Sequence, residues 1–583
     1  MTTSQLTARL AGAIGLCSAI AYAPGCREEF LEPEIPGALT AEVLESPAGI
    51  EGAVIGAYAP LAGIVSGEFQ ASNSRLGTSY NYVSGSMRGG DANKGTEAGD
   101  FVAMEQVINY TLDPTNDLSG EKWRVFYEGV TRANNAIRIA RASSDERVAE
   151  DFRRNMIAQA TFLRAHYFFE LHRHFGSIVY FDETIPQGEL ATLPNTNSLD
   201  AIAADFEAAV ANLPETQSAV GMVNRSAAQA YLGKVYLYQE RWEDALAQFA
   251  SVIDAGVTSD GRALALVADY SQLFNAEFDN NTESIFAIQA AANTGSVNNA
   301  NQVFDLIHLQ SSPVGGCCGF WQPSFDLVNS HRTEDGLPLI DSYREGELIR
   351  TDLGIGSSDP SYEPGNEEVD PRLDHTVGRR GIPYLDWGPH PGAAWVRSQA
   401  YAGPFAPKKY IYYQGQAGTL QDGSSWTNGY TAVNFTVLRL ADVLLMAAEA
   451  NAELGNLEEA RALVNQVRAR AANEDAFVRF DDGTPAANYS ISTYDDAWTD
   501  QAAALEAIYF ERKIELAYEG ERFFDLVRWG RDVAFLNGYI EFESRFIPTQ
   551  FRGAVYNANE ALLPIPQGQL DLQESLTQNP GYN

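Results

Sequence analysis

The stretch "AAQAYLGKVYLYQERWEDALAQFASVI" constrains the fold more than any other part of this chain. Leu232, Gly233, Tyr236, Ala245 and Phe249 fall at offsets that place them on the facing sides of two consecutive helices. Gly233 and Ala245 are small where such helices must cross closely, and the aromatic residues fill the holes between them. A chain with this pattern is committed to stacked helix pairs.

Those five positions match the spacing of a tetratricopeptide unit, and a second unit follows at Leu438–Ala471, "LRLADVLLMAAEANAELGNLEEARALVNQVRARA". Leu454-Gly455-Asn456 forms its turn and Ala460 takes the place of Ala245. Helical periodicity also covers Ser46–Ile64, with Ile50, Val54, Ala57, Tyr58 and Leu61 on one face. It recurs through about 121–255, where Trp123, Phe126, Tyr127, Val130, Asn134 and Ile137 share a face, and over one long stretch from Ala503 to Gly530. Between 256 and 435 the periodicity fails. That segment is rich in Gly, Pro, Asn and aromatic residues, and only short strands such as "ESIFAIQ" stand out. The expected architecture is mainly α: a helical-repeat scaffold with an N-terminal half (27–255, with a loop at 65–120), an irregular ligand-facing insertion (256–435) and a C-terminal half (436–583). Inserted loops on such scaffolds tend to carry function.

The chain has 40 basic and 77 acidic residues, a formal net charge of -37 in 583 residues. Such a surface repels phosphate backbones and anionic lipids, which argues against nucleic acid as a partner. The N-terminus reads as an export signal: Arg9 precedes an apolar run from Leu10 to Ala23. Ala23-Pro24-Gly25-Cys26 resembles a bacterial lipobox, so residues 1–26 read as a signal peptide with Cys26 as lipid anchor; simple secretion is the alternative. Cys17 then leaves with the signal, and only Cys317 and Cys318 remain of the four cysteines. In an oxidising compartment they form either a vicinal disulfide, tolerated by the flanking glycines, or two free or metal-touching thiols.

Catalytic and metal signals are thin. Glu511, Glu515, Glu519, Glu521 and Asp525 offer carboxylates, as glycosidases do. However, Arg512 falls within an apolar helical stripe beside Leu505, Ile508, Tyr509 and Leu516, where a buried charge needs a mate, so these acids read as ion-pair partners. Arg164 and Arg439 carry the same expectation. His172 and His174 point about 200° apart on one helix and cannot share a metal. "DANKGTEAGD" (91–100) faintly resembles a calcium loop but lacks its terminal glutamate; a solvated acidic loop is the plainer reading. No enzyme, cofactor or metal site is expected.

Five stretches, in order along the chain, resemble the SusD/RagB family of outer-membrane nutrient-uptake lipoproteins: "ATFLRAHYFFELHRHFG" (160–176), "DPRLDHTVGRRGIPYLDWG" (370–388), "RLADVLLMAAEANAELG" (439–455), "ERKIELAYEGERFFDLVRWG" (511–530) and "LLPIPQGQLDLQESLTQNPGY" (562–582). The resemblance implies four helix pairs supporting a loop-rich face. It implies a surface lipoprotein that covers a SusC-type TonB-dependent transporter and captures oligosaccharide without transforming it. A peptide-capturing lid and a pure interaction scaffold are the alternatives. It also implies ligand contacts from about 75–95 and 315–325. Trp321 and Tyr80 are the candidate stacking residues there, Arg88 and Asn73 the candidate hydrogen-bond donors, and Trp387 a further ring from the insertion.

Overall fold

A computed structural model describes residues 40–65, 73–296, 299–301, 306–424 and 427–582. The fold is mainly α. The principal helices are α1 (Pro47–Tyr58), α2 (Asp117–Ala142), α3 (Glu150–Phe175), α4 (Leu199–Asn212), α5 (Arg225–Tyr238) and α6 (Trp242–Ala255). After the insertion come α7 (Leu440–Glu453), α8 (Leu457–Ala471), α9 (Gln501–Glu515), α10 (Arg522–Arg528) and α11 (Asp532–Glu543). Each helix from α2 to α6 packs on the next, and α6 packs on α7, although the insertion separates them in sequence. The helical stack is therefore continuous, and the insertion loops out of it.

Local chemistry sets these boundaries. Ser46 caps α1 by accepting from the Gly49 N–H at 3.2 Å, and the chain tightens at Pro60 into a 3-10 turn, Ala59–Ala62. The α5–α6 crossing is as close as the spacing requires: a methyl group on Gly233 would stand 2.5 Å from the Phe249 ring. Between α7 and α8, Gly455 takes the left-handed conformation of a helix stop. The stretch expected as one helix from Ala503 to Gly530 is two. It breaks between Glu515 and Arg522, where Tyr518 and Gly520 both have positive φ. The break lets the Tyr518 N–H donate to Asp91 (3.1 Å) and the Gly520 N–H donate to Ser86 (3.0 Å), tying the N-terminal loop to the C-terminal signature.

Strands occur only as two-stranded ribbons among the described residues. We number those used below β1 (Ala92–Gly95), β2 (Ser284–Ile288), β3 (Leu309–Gln310), β4 (Gly315–Gly316), β5 (Phe320–Pro323) and β6 (Phe435–Arg439). β2 pairs antiparallel with β6, Phe435 opposite Ile288, so the start and end of the insertion are zipped together. β1 pairs antiparallel with β5, Asn93 opposite Gln322, which draws the 92–95 segment and the segment after the cysteines into one ribbon.

Buried ion pairs weld the insertion to the stack. Arg372 binds Asp370 (2.7 Å), Glu511 (2.6 Å) and Glu515 (2.8 Å). Arg439 binds Glu283 (2.7 Å), Glu515 (2.6 Å) and Glu519 (2.7 Å). Arg468 reaches Glu511, Arg470 reaches Glu283 and Glu515, and Lys409 reaches Glu519. The five cations face five anions (Glu283, Asp370, Glu511, Glu515, Glu519), so the seam is neutral as a whole. The mates expected for Arg512 are Asp442 (2.7 Å) and Asp525 (2.9 Å), and those for Arg164 are Asp205 and Glu183. The carboxylates of 511–525 are thus held in the interior as ion-pair partners.

A candidate ligand platform on the cysteine loop

The sequence expectations for ligand contacts divide sharply here. Trp321 is fully buried, not surface-presented. Its backbone has a φ of 59°, which turns the ring inward. The indole lies parallel to Tyr410 (centroids 6.4 Å, interplanar angle 5°) and also meets Tyr82 (5.2 Å) and Tyr518 (4.8 Å). The Tyr518 hydroxyl donates to the Trp321 carbonyl at 2.9 Å. The side chain joins the N-terminal loop, the insertion and the C-terminal signature, and offers no face to a ligand.

Tyr80 is likewise interior. Its hydroxyl donates to the Ala300 carbonyl at 2.6 Å and its ring packs on Phe435 at 4.6 Å. Arg88 is buried over the Phe523 ring at 4.1 Å and donates to the Glu560 carbonyl. Indeed the segment from Leu76 to Thr96 is buried almost throughout, so the expectation that 75–95 faces ligand is corrected: the β1–β5 ribbon pulls it inside. Asn73 opens a 3-10 turn, Asn73–Gly77, but its side chain lies outside the described residues, as do Cys26 and Trp426.

Two candidates do come together. Cys317 and Cys318 are bridged as a vicinal disulfide; Cys318 is buried and Cys317 half-buried. The loop carrying them is folded by the β3–β4 ribbon, Leu309 opposite Gly315, and by the Gly319 N–H donating to the His308 carbonyl at 2.8 Å. Gly315 has a φ of 76°, and a methyl group there would stand 2.6 Å from the His308 side chain, so only glycine fits. The Gly315 N–H donates to the Tyr412 hydroxyl at 3.2 Å. Half-buried Trp387 reaches the same tyrosine: its Nε1 donates to the Tyr412 carbonyl at 3.1 Å, and the two rings meet edge to face at 5.8 Å. Tyr412 therefore fixes the indole and the disulfide loop to one another.

Beside Gly319 stands Arg397, whose Cβ would lie 3.7 Å from a methyl group there. It is part-exposed and is oriented by Thr96 (2.9 Å), Asp100 (2.8 Å) and Glu97. The cysteine loop thus has the Trp387 indole tied to it through Tyr412 and the Arg397 side chain beside Gly319. Exposed Asp386, next to Trp387 in sequence, accepts from the Gln414 and Gly415 N–H groups. Such an arrangement can stack the CH-rich face of a flat ligand on the ring and hydrogen-bond its polar rim. Sequence reasoning missed Tyr412 and Arg397, because nothing near 397 or 412 in sequence points to residues near 317.

The acidic 91–100 loop is buried from Asp91 to Thr96 and solvated over Glu97–Gly99. Lys94 fills it as an internal cation, donating to the Glu97 carbonyl (3.0 Å), the Asp100 carbonyl (2.7 Å) and Glu105 (3.1 Å). His174 is bound to the Ser84 hydroxyl (2.9 Å) and the Glu170 carbonyl (2.7 Å). No cluster of three or more His, Cys, Asp or Glu able to hold a metal occurs among the described residues.

With this geometry in view, comparison with known proteins is informative. A model of the SusD family matches residues 282–582, more than half of the chain, and a second, described as "Starch-binding associating with outer membrane", matches residues 29–237. "SusD-like protein P2" of Formosa agariphila is 26% identical over 82% of this chain and 83% of its own length. A "SusD-like protein" of Bacteroides ovatus is 24% identical over 73% of this chain and 68% of its own. Among solved structures, a SusD homolog from Bacteroides thetaiotaomicron superimposes with a TM-score of 0.69 at 19% identity, covering 95% of this chain and all of that one. A "Laminarin binding SusD-like protein" superimposes at 0.63 with 22% identity over 92% of this chain and 99% of its own. "Surface glycan-binding protein A" from Bacteroides thetaiotaomicron, solved with laminarihexaose, gives 0.62 at 20% identity over 91% and 99%. These structural likenesses carry the fold; the family-model match carries the assignment, and the chain belongs to the SusD/RagB family.

Proposed function

We propose that this protein captures oligosaccharide at the cell surface and delivers it, chemically unchanged, to a SusC-type TonB-dependent transporter in the outer membrane. The observation that carries the reading is the match of residues 29–237 to the family described as starch-binding and associated with the outer membrane. Laminarin and laminarihexaose as ligands of two fold neighbours support it, as does the half-exposed indole of Trp387 locked beside the disulfide loop. Lipid attachment at Cys26 belongs to the same proposal and would hold the protein on the outer face. In this reading Trp387 stacks on a sugar ring, and Arg397, Asp386 and Gln414 meet its hydroxyls. Binding without turnover fits the acids of 511–525, which are engaged in buried ion pairs.

The test is a glycan-array and affinity-gel screen of the chain from residue 27, which contains every described element. Retardation by one class of neutral polysaccharide supports the proposal. Absence of binding to any glycan, with capture of peptides from a protein digest, overturns it in favour of a peptide-collecting lid.

A further inference from the structure

A hollow of about 490 Å³ opens on the helical stack and shares no residue with the platform. The C-terminal ends of four helices reach it: His172 and Arg173 of α3, Tyr238 of α5, Glu449 and Glu453 of α7, and Arg528 of α10. Helix C-termini carry partial negative charge from unsatisfied carbonyls, so their convergence makes the hollow electronegative before any side chain is counted.

The side chains reinforce that field. Glu240, Glu449 and Glu453 line the hollow. Glu449 is satisfied by Arg528 and by the Trp529 indole N–H at 3.0 Å. No ion pair engages Glu453 or Glu240 among the described residues. Burial, then the charges of Glu449 and Glu240, raises the pKa of Glu453, against a smaller opposing pull from Arg528. The lining cations are already consumed: Arg528 by Glu449 and Asp525, and Arg173 by Glu170 and Glu521. Burial holds His172 down at about 4, so it is neutral, and its buried Nδ1 has no hydrogen-bond partner. Aromatic rings complete the walls: Tyr509 and Trp529 are stacked at 3.8 Å and already carry Arg531 (5.1 Å) and Arg528 (4.8 Å), whereas Trp242 lines the same space with no cation over its ring among the described residues.

Unpaired carboxylates beside the Trp242 indole form the recognition chemistry of an organic cation, since the ring face attracts the charge and the carboxylates accept its N–H groups. We propose that this hollow binds the guanidinium or ammonium group of an arginine or lysine side chain presented by a polypeptide. Its volume lies within the range of about 300–1,000 Å³ usual for small-ligand sites. The net charge of -37 favours the approach of basic segments. The inference is independent of glycan capture.

The experiment is calorimetric titration of the chain from residue 27 with an acetylated, amidated Gly-Arg-Gly peptide, beside the same peptide carrying citrulline, which has the shape of arginine without its charge. The expected result is saturable binding of the arginine peptide, weakened at least about tenfold by the citrulline exchange. In the Glu240→Gln/Glu453→Gln variant that preference should vanish. Neither residue is ion-paired, so the variant should keep the circular dichroism and unfolding temperature of the parent. Failure of the arginine peptide to bind, equal affinity for the citrulline peptide, or a preference that survives the double substitution would each overturn the proposal. Because Trp387 lies outside the hollow, Trp387→Ala should bind the arginine peptide as the parent does.

Discussion

Two regions of the insertion carry tryptophans within loops rich in glycine, yet they have opposite fates. Around Trp321, β5 pairs with a strand from the N-terminal half, the residue takes a left-handed backbone, and the indole is enclosed by Tyr82, Tyr410 and Tyr518. The Trp387 indole has one anchoring hydrogen bond, to the Tyr412 carbonyl, and part of the ring stays in solvent. Composition alone does not separate a ring left partly in solvent from one that holds the fold together. Long-range strand pairing does, because it decides which loops are pulled beneath the surface.

The largest effect is expected at the ion-pair seam between the insertion and the helical stack. Glu515→Gln leaves Arg372, Arg439 and Arg470 short of a buried partner and should cost about 3–5 kcal/mol, read from the urea midpoint. A midpoint shift below about 1 kcal/mol would show that the ion pairs do not hold the insertion to the stack. Trp321→Ala comes next. Removing a fully enclosed indole should destabilise by about 3–5 kcal/mol, while the folded fraction still binds glycan. A stable variant that has lost binding would return Trp321 to the ligand site.

Acid should act on the interior. Glu170 is fully enclosed; burial raises its pKa, but Arg173, His166, His174 and Asn81 together outweigh burial and hold it at about 2. Its folded value lies below the unfolded one near 4.5, so its stabilisation is complete above that pH and is lost as pH falls from there towards 2. Urea unfolding at successive pH values should show this slope, and Glu170→Gln should remove on the order of 2–3 kcal/mol of it. Opening the vicinal disulfide is the mildest perturbation. Reductant should weaken glycan binding by loosening the loop that Tyr412 ties to Trp387, with helical circular dichroism unchanged. Unaltered affinity with both thiols alkylated would remove the cysteine pair from the platform.

The helical scaffold was legible in the sequence because its determinants are local. Small residues at Gly233 and Ala245 and a charged residue in the apolar stripe at Arg512 each imply their neighbours through helical geometry. The division of 503–530 was not legible. Apolar periodicity continues through Leu516–Glu521, and only contacts with Asp91 and Ser86, more than 400 positions away, select the positive φ at Tyr518. The candidate site suffered the same limit. The cysteine pair and Trp387 could be singled out as unusual residues. That Tyr412 joins them, that Arg397 flanks them, and that Tyr80, Arg88 and Trp321 lie inside follow from non-local pairing, which no window of sequence contains. Lys94 shows this on a small scale: a loop that resembles a cation site in sequence brings its own cation.

The most direct test of the central claim is calorimetric titration of the glycan identified on the array against Trp387→Ala, with its unfolding curve measured alongside. The account predicts that binding falls at least about tenfold, as expected from losing a stacked ring, while stability changes by no more than about 1 kcal/mol because the ring is half in solvent. Undiminished binding by a stably folded Trp387→Ala would contradict it and move the ligand site away from the cysteine loop.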